Sequence, residues 1–182
     1  MHALVVYESI YGNTHEVAKH IAIGLQSRFE TTVVSVGDAT GELVAAADLL
    51  VVGGPTHLHR MSSARSRQAG RDIARRPGER RDLDPHAADE GLRDWFRSLP
   101  TMAPRAAAAF DTRTAGPALL AGRASRGIAA RLREHGYKLV VDPESFLVDE
   151  DTHLLPGEAT RAEAWAASML LRAPPRFVTG TR

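Results

Sequence analysis

Residues 3–14, ALVVYESIYGNT, constrain the fold more than any other stretch of the chain. Ala3 to Tyr7 form a continuous apolar run rich in β-branched residues, which fits a strand covered on both faces in a parallel sheet. A polar turn follows at once. Behind it, Val17, Ala18, Ile21, Ala22 and Leu25 fall on one helical face, which predicts a helix ending near Ser27. Ser9, Tyr11, Asn13 and Thr14 bring hydroxyl or amide groups into six residues, and Gly12 lets the backbone bend close to a ligand. The helix's first N–H groups and its positive dipole end point back into this turn, so a dianion would be stabilised there although no Lys or Arg precedes Lys19. The order strand, hydroxyl-rich turn, helix N-terminus predicts a phosphate site. A plainer alternative is a capped turn, with Asn13 as N-cap and Glu16 as its capping-box partner.

Other phosphate-binding loops fail on their residues. A dinucleotide loop needs G-x-G-x-x-G and a nucleotide P-loop needs G-x-x-x-x-G-K-[ST], whereas this turn has one glycine and no lysine. A phosphoacceptor site would need several carboxylates, and Glu8 stands alone. Val5, Val6, Tyr7, Ser9, Gly12, Thr14 and Ala18 together resemble the phosphate loop of the flavodoxin family. His20 stands where an aliphatic residue is usual, with Ile21 beside it to take over the packing.

The remaining chain continues the alternation. Thr31–Val36 predicts an edge strand, Asp38–Ala46 a short helix, and Asp48–Gly54 an apolar third strand. Leu92, Trp95, Phe96 and Leu99 give a core-facing stripe within 89–99, closed by Pro100. Arg105–Asp111 reads as the fourth strand although its alanines favour helix. Ala124, Ile128 and Leu132 mark a helix ended by Gly136. Lys138–Asp142 is the fifth strand, continued by Ser145–Val148 after a kink at Pro143, and the last helix begins near Glu158. The expected fold is α/β: a doubly wound, five-stranded parallel sheet of order 2-1-3-4-5 in three layers, one domain over 1–182 with a loose tail at 176–182. Ligands bind such sheets where the order reverses, between the first and third strand ends.

The resemblance implies FMN as cofactor. It assigns the phosphate to Ser9, Ile10, Tyr11, Gly12, Asn13 and Thr14, and extends to the second loop, Pro55–Ser62. There Pro55 and Thr56 would face the ribityl chain or phosphate, and His57, Leu58 and His59 would approach the ring. From the third loop, 111–122, Thr112 and Arg113 are assigned to the pyrimidine edge. Aromatic ring flanks usual in the family are missing from the second and third loops. His57-x-His59 lacks a third metal ligand nearby, so no metal is assigned.

Absence of cysteine removes thiol and iron–sulfur chemistry, so redox chemistry would come from a bound cofactor. A formal net charge of +1 gives the whole molecule no strong pull toward nucleic acid or membrane, and no apolar run or leader pattern is present, which leads to an expected cytoplasmic location. Residues 63–88 carry little apolar periodicity and read as a solvated loop and helix face. Between Arg60 and Arg81 lie eight arginines against two carboxylates, a candidate docking face for an acidic partner or a nicotinamide cofactor's phosphates. Nucleic acid is disfavoured because no aromatic is interleaved for stacking. The expectation is an FMN-binding redox protein, first an electron carrier serving a redox partner protein. Alternatives are an FMN-dependent NAD(P)H:quinone-type oxidoreductase and a flavin-free interaction module built on the 60–81 segment.

Overall fold

The computed structural model describes residues 1–57, 60–76, 78, 81–88, 90–101, 105–116 and 122–171. The strands are β1 (His2–Tyr7), β2 (Glu30–Ser35), β3 (Leu49–His57), β4 (Arg60–Met61), β5 (Ala106–Thr114), β6 (Lys138–Leu139) and β7 (Glu144–Val148). The helices are α1 (Asn13–Leu25), α2 (Gly41–Ala46), α3 (Ala64–Ala74), α4 (Leu92–Ser98), α5 (Ala124–Glu134) and α6 (Glu158–Met169). The sheet runs β2-β1-β3-β5-β6, with β7 continuing beside β5 after β6. All these pairings are parallel, and β4 adds a short antiparallel return on β3. Counting β6 and β7 as one interrupted strand, this is the expected 2-1-3-4-5 order.

Side-chain alternation divides the core into two layers. Ala3, Val5 and Tyr7 of β1, Leu49 and Val51 of β3, and Ala106, Ala108 and Phe110 of β5 face α1 and α6. Leu4, Val6, Leu50, Val52, Ala107 and Ala109 face the opposite layer, with α2, α4 and α5. Both faces of β1, β3 and β5 are thus covered, which is why these strands read as unbroken apolar runs. The alanines of β5 form strand because their neighbours β3 and, at Ala106 and Ala107, β6 satisfy their backbone groups. Their small size is matched by Gly53, paired with Phe110 in register: a Cβ at Gly53 would sit 2.1 Å from Phe110 Cζ. Phe110 meets Phe146 edge-on at 6.2 Å and Trp165 at 6.4 Å, closing the α6 side of the core.

The local elements follow the sequence with three informative departures. First, α1 is capped by Gly12 at φ 85° and receives no side-chain cap, so the capping-box alternative built on Asn13 and Glu16 does not form. Ile21 takes the core position, and His20 turns outward to Glu163 at 2.7 Å. Second, the segment read as irregular contains α3, started by a reciprocal Ser63–Ser66 capping box. Its inward positions include Arg67 and Gly70, residue types that leave no apolar period to detect. Third, β3 extends to His57, three residues beyond the predicted end at Gly54, because Pro55 and Thr56 keep register with β5 and β4. Trp95 is core, as its spacing indicates, with its indole N–H donating to the Ala39 carbonyl at 3.0 Å. The tail at 176–182 lies outside the described residues.

Candidate functional site

The carboxyl ends of β1, β3 and β5 deliver the three loops to one edge of the sheet, and the cleft between them is a cavity of about 180 Å³. From the first turn, Ser9, Ile10, Tyr11, Asn13 and Thr14 line it; from the second, Pro55, Thr56 and His57; from the end of β5, Thr112 and Arg113. Gly12 is absent from the wall because its contribution is backbone, reversing the chain at positive φ. Leu58 and His59 lie outside the described residues. The wall also includes Thr114, Val148 and Thr152, which the sequence reading missed. Val148 and Thr152 arrive from the far side of β5, at the end of β7 and after the acidic stretch 149–151 that follows it. Asn13 donates its amide N–H to the Thr152 carbonyl, which ties that turn to the first loop.

The donor chemistry is concentrated at the start of α1. With no side-chain cap, the N–H groups of Asn13, Thr14 and His15 have no helical acceptor and open toward the turn. The Gly12 N–H is turned to Ser9 Oγ at 3.0 Å. Thr14 and Thr112 share a buried hydroxyl–hydroxyl hydrogen bond of 2.7 Å. That contact couples the first loop to β5 and fixes Thr14 in one rotamer. Thr56 accepts the Ala124 N–H at 2.8 Å, so its hydroxyl anchors the α5 start while its side chain faces the cleft. Arg113 donates from Nη1 to the Thr114 and Gly116 carbonyls, and its buried Nε–H is left without a partner.

A buried polar set fixes the second loop. Glu8 is 5% exposed, accepts the Ser62 hydroxyl and takes the Leu92 N–H at 2.9 Å. Arg67, itself buried, reaches Ser62 Oγ at 3.5 Å and Asp94 at 3.6 Å. Asp94 offsets the charge of buried Arg67, so Arg67 belongs to the fold rather than to a surface face. Residues 81–88 then cross the first turn: the Asp84 N–H donates to the Ile10 carbonyl at 2.8 Å, and Arg81 donates to the Glu150 carbonyl at 3.0 Å. Tyr11 completes the clasp by donating to the Gly70 carbonyl of α3 at 2.8 Å.

Two titratable groups stand out by environment. Burial, reinforced by the Arg67 charge, lowers the His57 pKa below its ordinary value, so the ring on the cavity wall is neutral at pH 7. Burial raises the Asp111 pKa; the carboxylate takes the Ser125 N–H at 2.6 Å, yet its other oxygen has no hydrogen-bond partner among the described residues. A folded-state value above the unfolded one contributes stability that is fully present below the unfolded pKa and lost as pH rises through the folded value. Asp111→Asn is therefore expected to melt higher than the parent at neutral pH and to flatten the decline from acid to neutral pH. Thermal melts across that range check it; an unchanged pH profile would remove Asp111 as its source.

Residues 5–76 match the flavodoxin family model, covering the first turn, the second loop and α3. No curated protein sequence matches the chain. Among solved structures, a flavodoxin from the Archaea aligns over 95% of this chain and 99% of its own, at 19% identity and a TM-score of 0.64. Flavodoxin 1 of Bacillus cereus aligns over 94% and 98%, at 18% identity and 0.63. The flavodiiron core of Flv1 from Synechocystis aligns over 94% of this chain and 35% of its own, at 14% identity and 0.58. Among the described residues, no helix is long and apolar enough to cross a membrane. With the family model matched at residues 5–76 and the fold shared along almost its whole length, the chain has a flavodoxin-like fold.

Proposed function

We propose that the cavity binds FMN and that the protein uses it as an electron carrier. One observation carries this reading: residues from three loops far apart in sequence converge on one cavity at the uncapped start of α1. Hydroxyls and free N–H groups are the donor set a phosphate dianion needs, and they stabilise it without a lysine. Ser9 and Thr14, with the N–H groups of Asn13, Thr14 and His15, would hold the phosphate. Thr56 and Thr152 supply further polar wall, and neutral His57 offers a flat ring without added charge. Arg113, on the wall, offers a cation suited to a carbonyl or anionic edge. FMN itself supplies the electron-transfer chemistry when bound.

The carrier form is preferred over an NAD(P)H:quinone-type oxidoreductase because Thr114, Ala115 and Gly116, beside the cavity, are exposed, which suits contact with another protein. The test is the visible absorption spectrum of the purified protein, repeated after addition of excess FMN and desalting. Flavin bands that survive desalting are expected. A colourless protein that also leaves added FMN fluorescence unquenched would turn the assignment to a flavin-free interaction module.

A further inference from the structure

The arginines beside the cavity separate into two groups. Arg67 is buried in the fold, Arg71 donates to the Ala87 carbonyl at 2.8 Å and to Gln68, and Arg81 holds the Glu150 carbonyl. Arg60, Arg65, Arg75, Arg76 and Arg126 are exposed and make no ion pair or hydrogen bond among the described residues. Their positions form one flank of the cleft. Arg60 lies on β4, opposite His57 of the cavity wall. Arg65, Arg75 and Arg76 share the outer face of α3 and its C-cap, and that helix holds Tyr11 through Gly70. Arg126 is in the first turn of α5, where neighbouring Gly127 faces the Met61 side chain of β4.

The nearby carboxylates do not neutralise this flank. Asp72 accepts from Gln68 at 2.7 Å, and Asp94 is shared by Arg67 and Arg97. Asp82 and Glu90 are exposed on the segment between α3 and α4. Asp149, Glu150 and Asp151 stand beside the Thr152 wall, where Arg81 holds the Glu150 carbonyl. The five exposed arginines are thus left without a carboxylate partner among the described residues, a concentration of positive charge that orients an acidic partner.

We infer that the Arg60–Arg65–Arg75–Arg76–Arg126 flank is a docking surface for the acidic face of a redox partner protein, an inference that rests on the FMN reading for its purpose. Unpaired arginines offer forked donors that match carboxylates, and a partner's carboxylates would relieve the repulsion among neighbouring cations. A nucleic acid fits less well, since among the described residues no exposed Phe, Tyr or Trp stands among these arginines to stack a base.

The test uses the full chain incubated with FMN and two probes of one fold: cytochrome c, which is basic, and succinylated cytochrome c, whose lysines have become carboxylates. Calorimetric titrations are run at about 20 mM and about 300 mM salt, a range over which screening removes exposed charge attraction. The succinylated probe is expected to bind about tenfold or more tighter than the native one at low salt, with the difference collapsing at high salt. In the triple variant Arg65→Ser, Arg75→Ser, Arg76→Ser the preference is expected to fall about tenfold. Equal or tighter binding of native cytochrome c, or a preference unchanged in the variant, overturns the surface. Flavin absorbance retained by the same samples after desalting reports separately: acidic-probe binding without retained flavin upholds the surface and overturns the redox reading.

Discussion

Gly12→Asp is expected to weaken FMN binding at least about 100-fold while leaving the protein folded. Two effects combine. Gly12 has φ 85°, a conformation that costs an L-residue about 1–2 kcal/mol, and Asp tolerates it better than most. A Cβ there meets nothing within 4 Å, so the side chain is accommodated without a clash. What remains is a new carboxylate at the mouth of a turn that would hold a dianion, and like charges about 4 Å apart repel by about 4 kcal/mol near a protein surface. Gly12→Asn keeps the shape without the charge and is expected to stay within about tenfold of the parent. Riboflavin, which lacks the phosphate, should bind the parent and Gly12→Asp with similar affinity. Fluorescence titrations of both ligands check this set. Equal loss of riboflavin and FMN would move the phosphate away from the Ser9–Thr14 turn. Thr14→Ala is expected to lower FMN affinity as well, and to cost about 1–3 kcal/mol of stability because Thr112 loses its buried hydroxyl partner.

Phe110→Ala should be the most destabilising single change among those considered, at about 3–5 kcal/mol. Phe110 is fully buried, fills the space that Gly53 leaves, and contacts Phe146 and Trp165. A gap there is lined by rings fixed on separate elements, β7 and α6, which cannot close without shifting the sheet. Because the next residues are Asp111 and Thr112, the cavity wall is expected to loosen with the core. Urea unfolding measures the first effect. A loss below about 1 kcal/mol would mean the three-ring cluster relaxes freely, contrary to its packing.

The pattern of what was legible follows from the range of the interactions involved. Strand order, the first turn and the core stripes depend on local periodicity and on short right-handed connections, so ALVVYESIYGNT and DLLVVGG announce them directly. Trp95 was legible as core because Leu92, Phe96 and Leu99 share its face. By contrast, α3 was hidden because the inward side of its helix uses Gly70 and a buried Arg67 in place of an apolar stripe. Arg67 can be inside only because Ser62 and Asp94, remote along the chain or off the helix, meet it there. The same holds for Glu8, whose partners Ser62 and Leu92 lie 54 and 84 residues away.

The candidate site divides along the same line. By itself the sequence determined that Ser9, Gly12 and Thr14 stand between a buried strand and a helix start, since that arrangement is contiguous and its chemistry is local. It also determined that the second loop emerges beside the first, because two short parallel crossovers allow little else. Only the tertiary structure decided that Thr112 pairs with Thr14, that Thr152 closes the far wall through Asn13, and which arginines are consumed by the fold and which face outward. Those outcomes depend on register between distant strands and on the paths of connecting segments, and a single chain carries no periodic signal for either.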